Sequence, residues 1–365
     1  MKVLLKKIVT LILIVVLFAV VDIQPTNTAE VPKPFVHFSG LPKLDEIYFK
    51  AYPGATPDHI VDEFIDGATH WIPGPYRADL LARVNNAGHK VLQHQSLKID
   101  YKVINCRDYK VTSGESNFPL NDSDFRVALS YIYGMDRKQE DIYNYLQVSW
   151  VFAAGNILHP ACPYYNESIQ MPNTSFEIAW DFLQVNGYWV NPDDPDGPWL
   201  YKDHMKVRNM EVWYSQGALY WERGPGVGFV RAFNEFISYI GAVGPTMTLY
   251  PKDFSMLMTE LLYKRDFDMI CFSENIGQYV DCRNWLYQRL HSSNNIPEGG
   301  NFAGINDTML DYWLEELIAA PPGSSQAYQA ASEVQLLCIR ELMPYFPVSN
   351  RVGICTVARD ARGEL

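Results

Sequence analysis

The sequence predicts an α/β protein, and three observations carry that expectation. Strand-like and helix-like segments alternate along most of the chain. The composition, 48% hydrophobic and 20% charged, is that of a globular body with a sizeable core. No internal repeat or low-complexity tract interrupts the alternation. A formal net charge of −12 argues against nucleic-acid binding through a broad basic surface. The 14% aromatic content suits both a large core and a cleft that stacks rings on a ligand.

The chain opens with Lys2, Lys6 and Lys7 ahead of an apolar run from Ile8 to Val21, the charged and apolar regions of a secretory leader. Roughly 14 residues at about 1.5 Å rise reach roughly 21 Å, short of a hydrocarbon core of about 30 Å. Residues 1–29 are therefore expected to be a signal peptide ending near Ala29 or an uncleaved N-terminal anchor. The chain beyond this leader is expected on the extracellular or periplasmic side. Leu44–Tyr52 alternates as a strand and stops at Pro53-Gly54. A helix comes next, capped by Thr56, with Pro57 in its first turn, Ile60, Val61, Phe64 and Ile65 on one face and Gly67 at its end. His70–Ile72 is a short strand, Pro75 opens a helix with Leu80, Leu81 and Val84 on one face, and Lys90–Ile104 is a long strand.

Beyond the polar loop 112–117, helices are expected over Asp122–Tyr133 and Thr174–Val185, the second with Thr174 and Glu177 as a capping box and Asn186-Gly187 as its stop. The stretch Asn191–Pro198 reads as a turn, because Pro195 falls where a calcium loop needs an oxygen ligand. Strand Met210–Tyr214, helix Gly226–Ile240, strand Thr246–Tyr250, helix Lys252–Tyr263 and strand Asp268–Ser273 continue the alternation. Met309, Leu310, Trp313, Leu314, Leu317 and Ile318 line one helix behind a cap at Asp307. Tyr328, Ala331, Val334, Leu337, Cys338 and Leu342 line the next, which Pro344 ends before a strand over Tyr345–Val352.

Catalytic signatures are missing: there is no Gly-x-Ser-x-Gly elbow, His-Glu-x-x-His pair, P-loop or dinucleotide fingerprint. Gly224–Gly228 lacks the Lys-Ser/Thr of a phosphate cradle and reads as a helix start. His89 and His94, five apart on a strand, point to opposite faces and do not share a metal. Glu315-Glu316 reads as a solvated helix face. No cofactor is expected. Sequons at Asn121, Asn166, Asn173 and Asn306 agree with export. The six cysteines contain no Cys-x-x-Cys pair, so a zinc or thioredoxin-type site is disfavoured, while disulfides and buried free thiols both remain open.

From Leu44 onward the order of motifs resembles the extracellular solute-binding proteins of family 5, the peptide and nickel receptors of ABC importers. Leu41–Lys50 is similar to the family's "KLDEIVF" strand, Ile60–Asp66 to its "VNALLSGEID" helix, and Phe118–Tyr131 with Met135-Asp-Arg137 to "PFNDVRVRQALAYA" and "IDR". His159–Tyr165, Phe267–Ile270, Asn284–Tyr287, His291–Asn294 and Phe302–Asn306 resemble later family motifs in the family's order. The resemblance implies a type II periplasmic-binding-protein-like fold with an incomplete first lobe: part of lobe I over 35–105, lobe II over 106–345, and 346–365 starting the return to lobe I. It implies no enzyme but a substrate-binding component that captures a small-molecule solute, a peptide by preference, for an ABC permease. A partner chain supplying the missing lobe is a further expectation. The ligand loop it implies contains Phe272, Glu274, Asn275, Gln278, Tyr279 and Asp281. Gln278 and its neighbours stand where family peptide receptors often carry an Asp, and Glu274 and Asp281 are the acids near enough to replace it. Cys271 and Cys282 flank the loop, and a disulfide between them would staple it. The alternatives from other classes are a secreted hydrolase of peptides or glycans and a non-binding remnant or one part of a split receptor.

Overall fold

Seven strands pair in one mixed sheet in the computed structural model, which describes residues 56–68, 71–73, 78–146, 151–218, 224–275 and 282–357. The leader and the Leu44–Tyr52 strand lie outside the described residues, and those described belong to the unit Thr56–Leu365. The sheet path is β1 (Trp71–Pro73), β10 (Tyr345–Val357), β2 (Lys90–Ile104), β9 (Met269–Asn275), β7 (Met210–Ser215) and β8 (Met247–Lys252), with β3 (Val151–Ala153) on β10. Strands β7, β8 and β9 are parallel, because a helix leads from each to the next: α6 (Pro225–Tyr239) from β7 to β8, and α7 (Phe254–Thr259) from β8 towards β9. The remaining pairs are antiparallel.

The first helix, α1 (Pro57–Ile65), forms as its sequence dictates: the Thr56 hydroxyl accepts from the His59 amide and Pro57 sits in the first turn. With α2 (Ala78–Asn86) and β1 it buries Val61, Phe64, Ile72, Leu80 and Val84 in a small cluster of their own. The main core runs from Ile99 to Val348. The long strands β2 and β10 extend from the small cluster into this core, and β10 carries register shifts between Pro347 and Ser349 and between Arg351 and Gly353. Within the core β2 is covered on both faces. Ile99, Tyr101 and Val103 are buried on one side, and Asp100 and Lys102, fully buried, on the other.

Several elements depart from the sequence reading. The helix α5 (Phe176–Val185) starts one residue late. Ser175 is its cap and accepts from the Ile178 amide, while Thr174 instead accepts from the Gly134 amide. The Thr174–Glu177 capping box is therefore corrected. Lys252 closes strand β8, so α7 begins behind Asp253 and widens into a π turn over Glu260–Lys264. Strand β10 continues to Val357 because it pairs with β1 and β2. Helices α3 (Ser123–Ile132), α9 (Thr308–Ala319) and α10 (Ser325–Leu337) form where expected, although Met309, Ile318 and Tyr328 are exposed rather than on the buried faces. Helices α4 (Met135–Leu146) and α8 (Arg283–Leu290) and the small sheet β4 (Tyr188–Asn191), β5 (Trp199–Lys202) and β6 (Met205–Lys206) are additional. The turn over Asn191–Pro198 joins β4 to β5, and the Asp194 carboxylate in it accepts from Lys206 Nζ at 2.7 Å and from the Tyr201 hydroxyl.

Candidate functional site

The first residues of the ligand loop expected from the sequence lie on strand β9, up to Asn275. There the strand pairs with β2, Asn275 opposite Lys98, Glu274 opposite Ile99 and Ser273 opposite Asp100. Phe272 packs its ring 6.1 Å from Tyr101 and 6.2 Å from Phe302, which anchors the loop's first half on the core. The backbone of Asn275 is placed by this pairing, but its side chain lies outside the described residues, as do Gln278, Tyr279 and Asp281. Of the six candidates, the structure thus brings Phe272 and Glu274 together on one strand end.

Glu274 is held tightly. Its carboxylate accepts from Arg289 through Nη2 and, at 3.1 Å, through Nε, and also from the Tyr101 hydroxyl. Arg289 comes from α8, and its guanidinium stacks 4.4 Å over the Phe302 ring. Burial works against the Arg289 charge, but the Glu274 carboxylate outweighs it and holds the guanidinium above its ordinary pKa. Burial, reinforced by Glu274, pushes the Tyr101 hydroxyl well up, so it stays a neutral donor. Both ionic partners are about 15% exposed. A ligand ammonium would have to compete with an intramolecular guanidinium for this carboxylate.

The far side of the loop is tethered differently from the sequence expectation. Cys282, at the start of α8, bonds to Cys162 in the His159–Tyr165 loop, with Cα atoms 6.5 Å apart. Cys271 is a buried free thiol on β9. It pairs in register with Lys102, and burial pushes its thiol up to about 12. The Cys271–Cys282 staple is therefore corrected: Cys271 is fixed inside the sheet, while Cys282 leaves the loop facing another segment. The tether joins the His159–Tyr165 motif to the residue two positions before the Asn284–Tyr287 motif.

On the β2 face opposite Tyr101, Asp100 accepts from the Ser273 hydroxyl on β9 and, at 2.6 Å, from Ser349 on β10. Lys102 lies beneath, with Nζ 4.4 Å from the Phe229 ring and 5.5 Å from that of Phe346. Beside it, Lys138 donates to the Ala154 and Pro347 carbonyls at 2.6 and 3.0 Å. Arg289, Tyr101 and Cys162 are the contributors that sequence reasoning misses. Among the described residues no group of three or more His, Cys, Asp or Glu is arranged to hold a metal, and no helix is long and apolar enough to cross a membrane.

No family model matches the chain, and no curated protein matches it. Solved structures do. An ABC transporter substrate-binding protein from Listeria monocytogenes superposes with a TM-score of 0.63 at 13% identity, over 83% of this chain and 53% of its own. The oligopeptide-binding protein AppA of Bacillus subtilis, solved with a nonapeptide, gives 0.64 at 15% identity, over 83% and 54%. NikZ of Campylobacter jejuni, solved with Ni(L-His), gives 0.60 at 18%, over 83% and 55%. This chain spans about half the length of these proteins. It has the periplasmic-binding-protein-like α/β fold of the ABC-transporter substrate-binding proteins to which its sequence motifs point.

Proposed function

We propose that the chain is the extracytoplasmic solute-binding component of an ABC importer, that its solute is a peptide, and that residues 272–281 border the cleft. The observation that carries this reading is the pair of long strands, Lys90–Ile104 and Tyr345–Val357, running from the small apolar cluster into the main core beside the candidate loop. Two crossing strands let two bodies close on a ligand and exclude water from its backbone groups. Phe272 packs on the core and Cys282 is bonded to Cys162, which supports assigning the ligand contacts to the residues between these two fixed points. Phe272 and Glu274 then act as supports, and Gln278, Tyr279 and Asp281 as the contacts. AppA, solved with a nonapeptide, supports the peptide class; NikZ, solved with Ni(L-His), makes a metal chelate the competing solute. In this reading an ABC permease receives the solute, and the rest of the first lobe comes from a partner chain or from sequence outside this one.

Calorimetry with a mixed peptide library, paired with a turnover assay on the same peptides, tests the proposal. Saturable binding without cleavage is expected. Cleavage would establish the secreted hydrolase instead, and heat only with Ni(L-His) would move the solute to the chelate class.

A further inference from the structure

At the other end of the β2–β9 pairing, Met269 stands opposite Ile104, six residues along from the Asn275–Lys98 pair and so about 20 Å from it at about 3.3 Å per residue. A cavity of about 430 Å³ opens just beyond, lined by Arg107, Asp108, Asn121, Ser123, Arg126 and Asp307 among others. Arg126 is only 2% exposed. Its Nε donates to the Leu342 carbonyl and its Nη1 to the Leu120 carbonyl, both at 2.7 Å, which orients the guanidinium; Nη2 makes no hydrogen bond among the described residues. Arg107 uses its two amino nitrogens on Asn105, Asn295, Asn301 and Phe302 and leaves Nε without a hydrogen bond among the described residues. Neither arginine forms an ion pair among the described residues. Burial, reinforced by Arg265, pulls the Arg107 guanidinium down to about 10.

We propose that this cavity is an anion site, separate from the candidate cleft, in which Arg126 Nη2 and Arg107 Nε hold the carboxylate of a small molecule. A buried arginine that forms no ion pair is costly unless an anion completes it. The two acids in the lining have other duties: Asp307 caps α9 by accepting from the Leu310 amide at 2.8 Å, and Asp108 accepts from Asn121 at 3.2 Å. The formal charges of the lining cancel, Arg107 and Arg126 against Asp108 and Asp307, so a dianion such as sulfate or phosphate gains no net attraction over a single carboxylate. Planar carboxylate oxygens also match guanidinium donors.

The test is a titration of the full chain with sodium acetate against sodium chloride and sodium sulfate at equal ionic strength, followed by thermal midpoint and by the NMR line width of carbon-labelled acetate. Acetate is expected to raise the midpoint saturably, by about 2 °C or more beyond chloride, and to broaden on binding. Ser123→Asp puts a carboxylate into the cavity at the first position of α3, where a helix favours acids, and Asn306→Asp does so from an exposed loop residue of the same lining. Both are expected to abolish the acetate effect. Equal effects of acetate and chloride on the wild type, a stronger effect of sulfate, or acetate binding unchanged in both variants would each overturn the proposal.

Discussion

Lys102→Met is expected to stabilise the protein at neutral pH, and by an amount that shrinks as pH rises. Lys102 is fully buried on the central strand, and burial lowers its pKa from 10.5 to about 8, with Cys271, Asp141 and Asp100 opposing the shift. A lysine whose folded pKa lies below its unfolded one disfavours the folded state while both forms are charged. Between about pH 8 and 10.5 the unfolded chain binds more protons, so stability rises with pH through that window. At about 1.4 kcal/mol per pH unit the interval corresponds to about 3 kcal/mol. Methionine has similar length, fits between the Phe229 and Phe346 rings and carries no charge to desolvate. The carboxylates near Lys102 keep other partners: Asp100 the Ser273 and Ser349 hydroxyls, Asp141 Arg231 at 2.8 Å and Tyr133 at 2.9 Å. Urea unfolding of wild type and variant side by side cancels the titration of groups common to both. The gap in favour of Lys102→Met is expected to fall by about 2–3 kcal/mol between pH 7 and pH 10. A gap that stays constant over that range would show that Lys102 is not held at a lowered pKa in the folded protein.

Cys162→Ser removes a cross-link spanning 120 residues and is expected to cost about 2–5 kcal/mol, while peptide mapping without reductant recovers Cys162 joined to Cys282 and Cys271 as a free thiol. Asp268→Asn is expected to cost about 3 kcal/mol in urea unfolding at pH 7, because it strands Arg208, bonded at 2.6 and 2.7 Å, and Lys110 at 3.1 Å around a residue 3% exposed. Burial alone would raise the Asp268 pKa, but Arg208 and Lys110 outweigh it and hold it low, so its stabilisation is present above the usual carboxylate range and lost as pH falls. Acid unfolding of Asp268→Asn is therefore expected to depend less steeply on pH below about 4 than that of the wild type.

Much of this fold is legible locally. Thr56, Pro57 and Gly67 bound α1 as caps and breakers should, and the strand Lys90–Ile104 forms over its full expected length. The parallel βαβ region follows from strand and helix signals spaced closely enough to leave few alternatives. Helix α4 escapes because its run, Met135–Leu146, is polar on the whole and the face that Met135, Ile142 and Leu146 mark in the sequence carries Lys138 where an apolar residue is expected, yet Lys138 and Ile142 are fully buried by tertiary contacts. Helix α8 escapes because its eight residues form no apolar stripe, and with it Arg289, the partner of Glu274. The turn at Asn191–Pro198 is visible from its prolines and acids, but the hairpin it closes is not, since β4 and β5 are only four residues each. The cross-link of Cys282 depends on a residue 120 positions away, a distance over which local pattern carries no information. At the candidate site, the strand that carries Phe272 is legible, but which side chains the core already occupies emerges only from packing.

The most direct test of the proposed function is the affinity of a mixed peptide library for the wild-type chain and for Gln278→Ala combined with Tyr279→Ala, measured by calorimetry on monomeric samples. Saturable wild-type binding is expected, weakening by about tenfold or more in the double variant, equal to about 1.4 kcal/mol. Affinities within about twofold of each other, or a wild-type chain that binds no peptide, would contradict it.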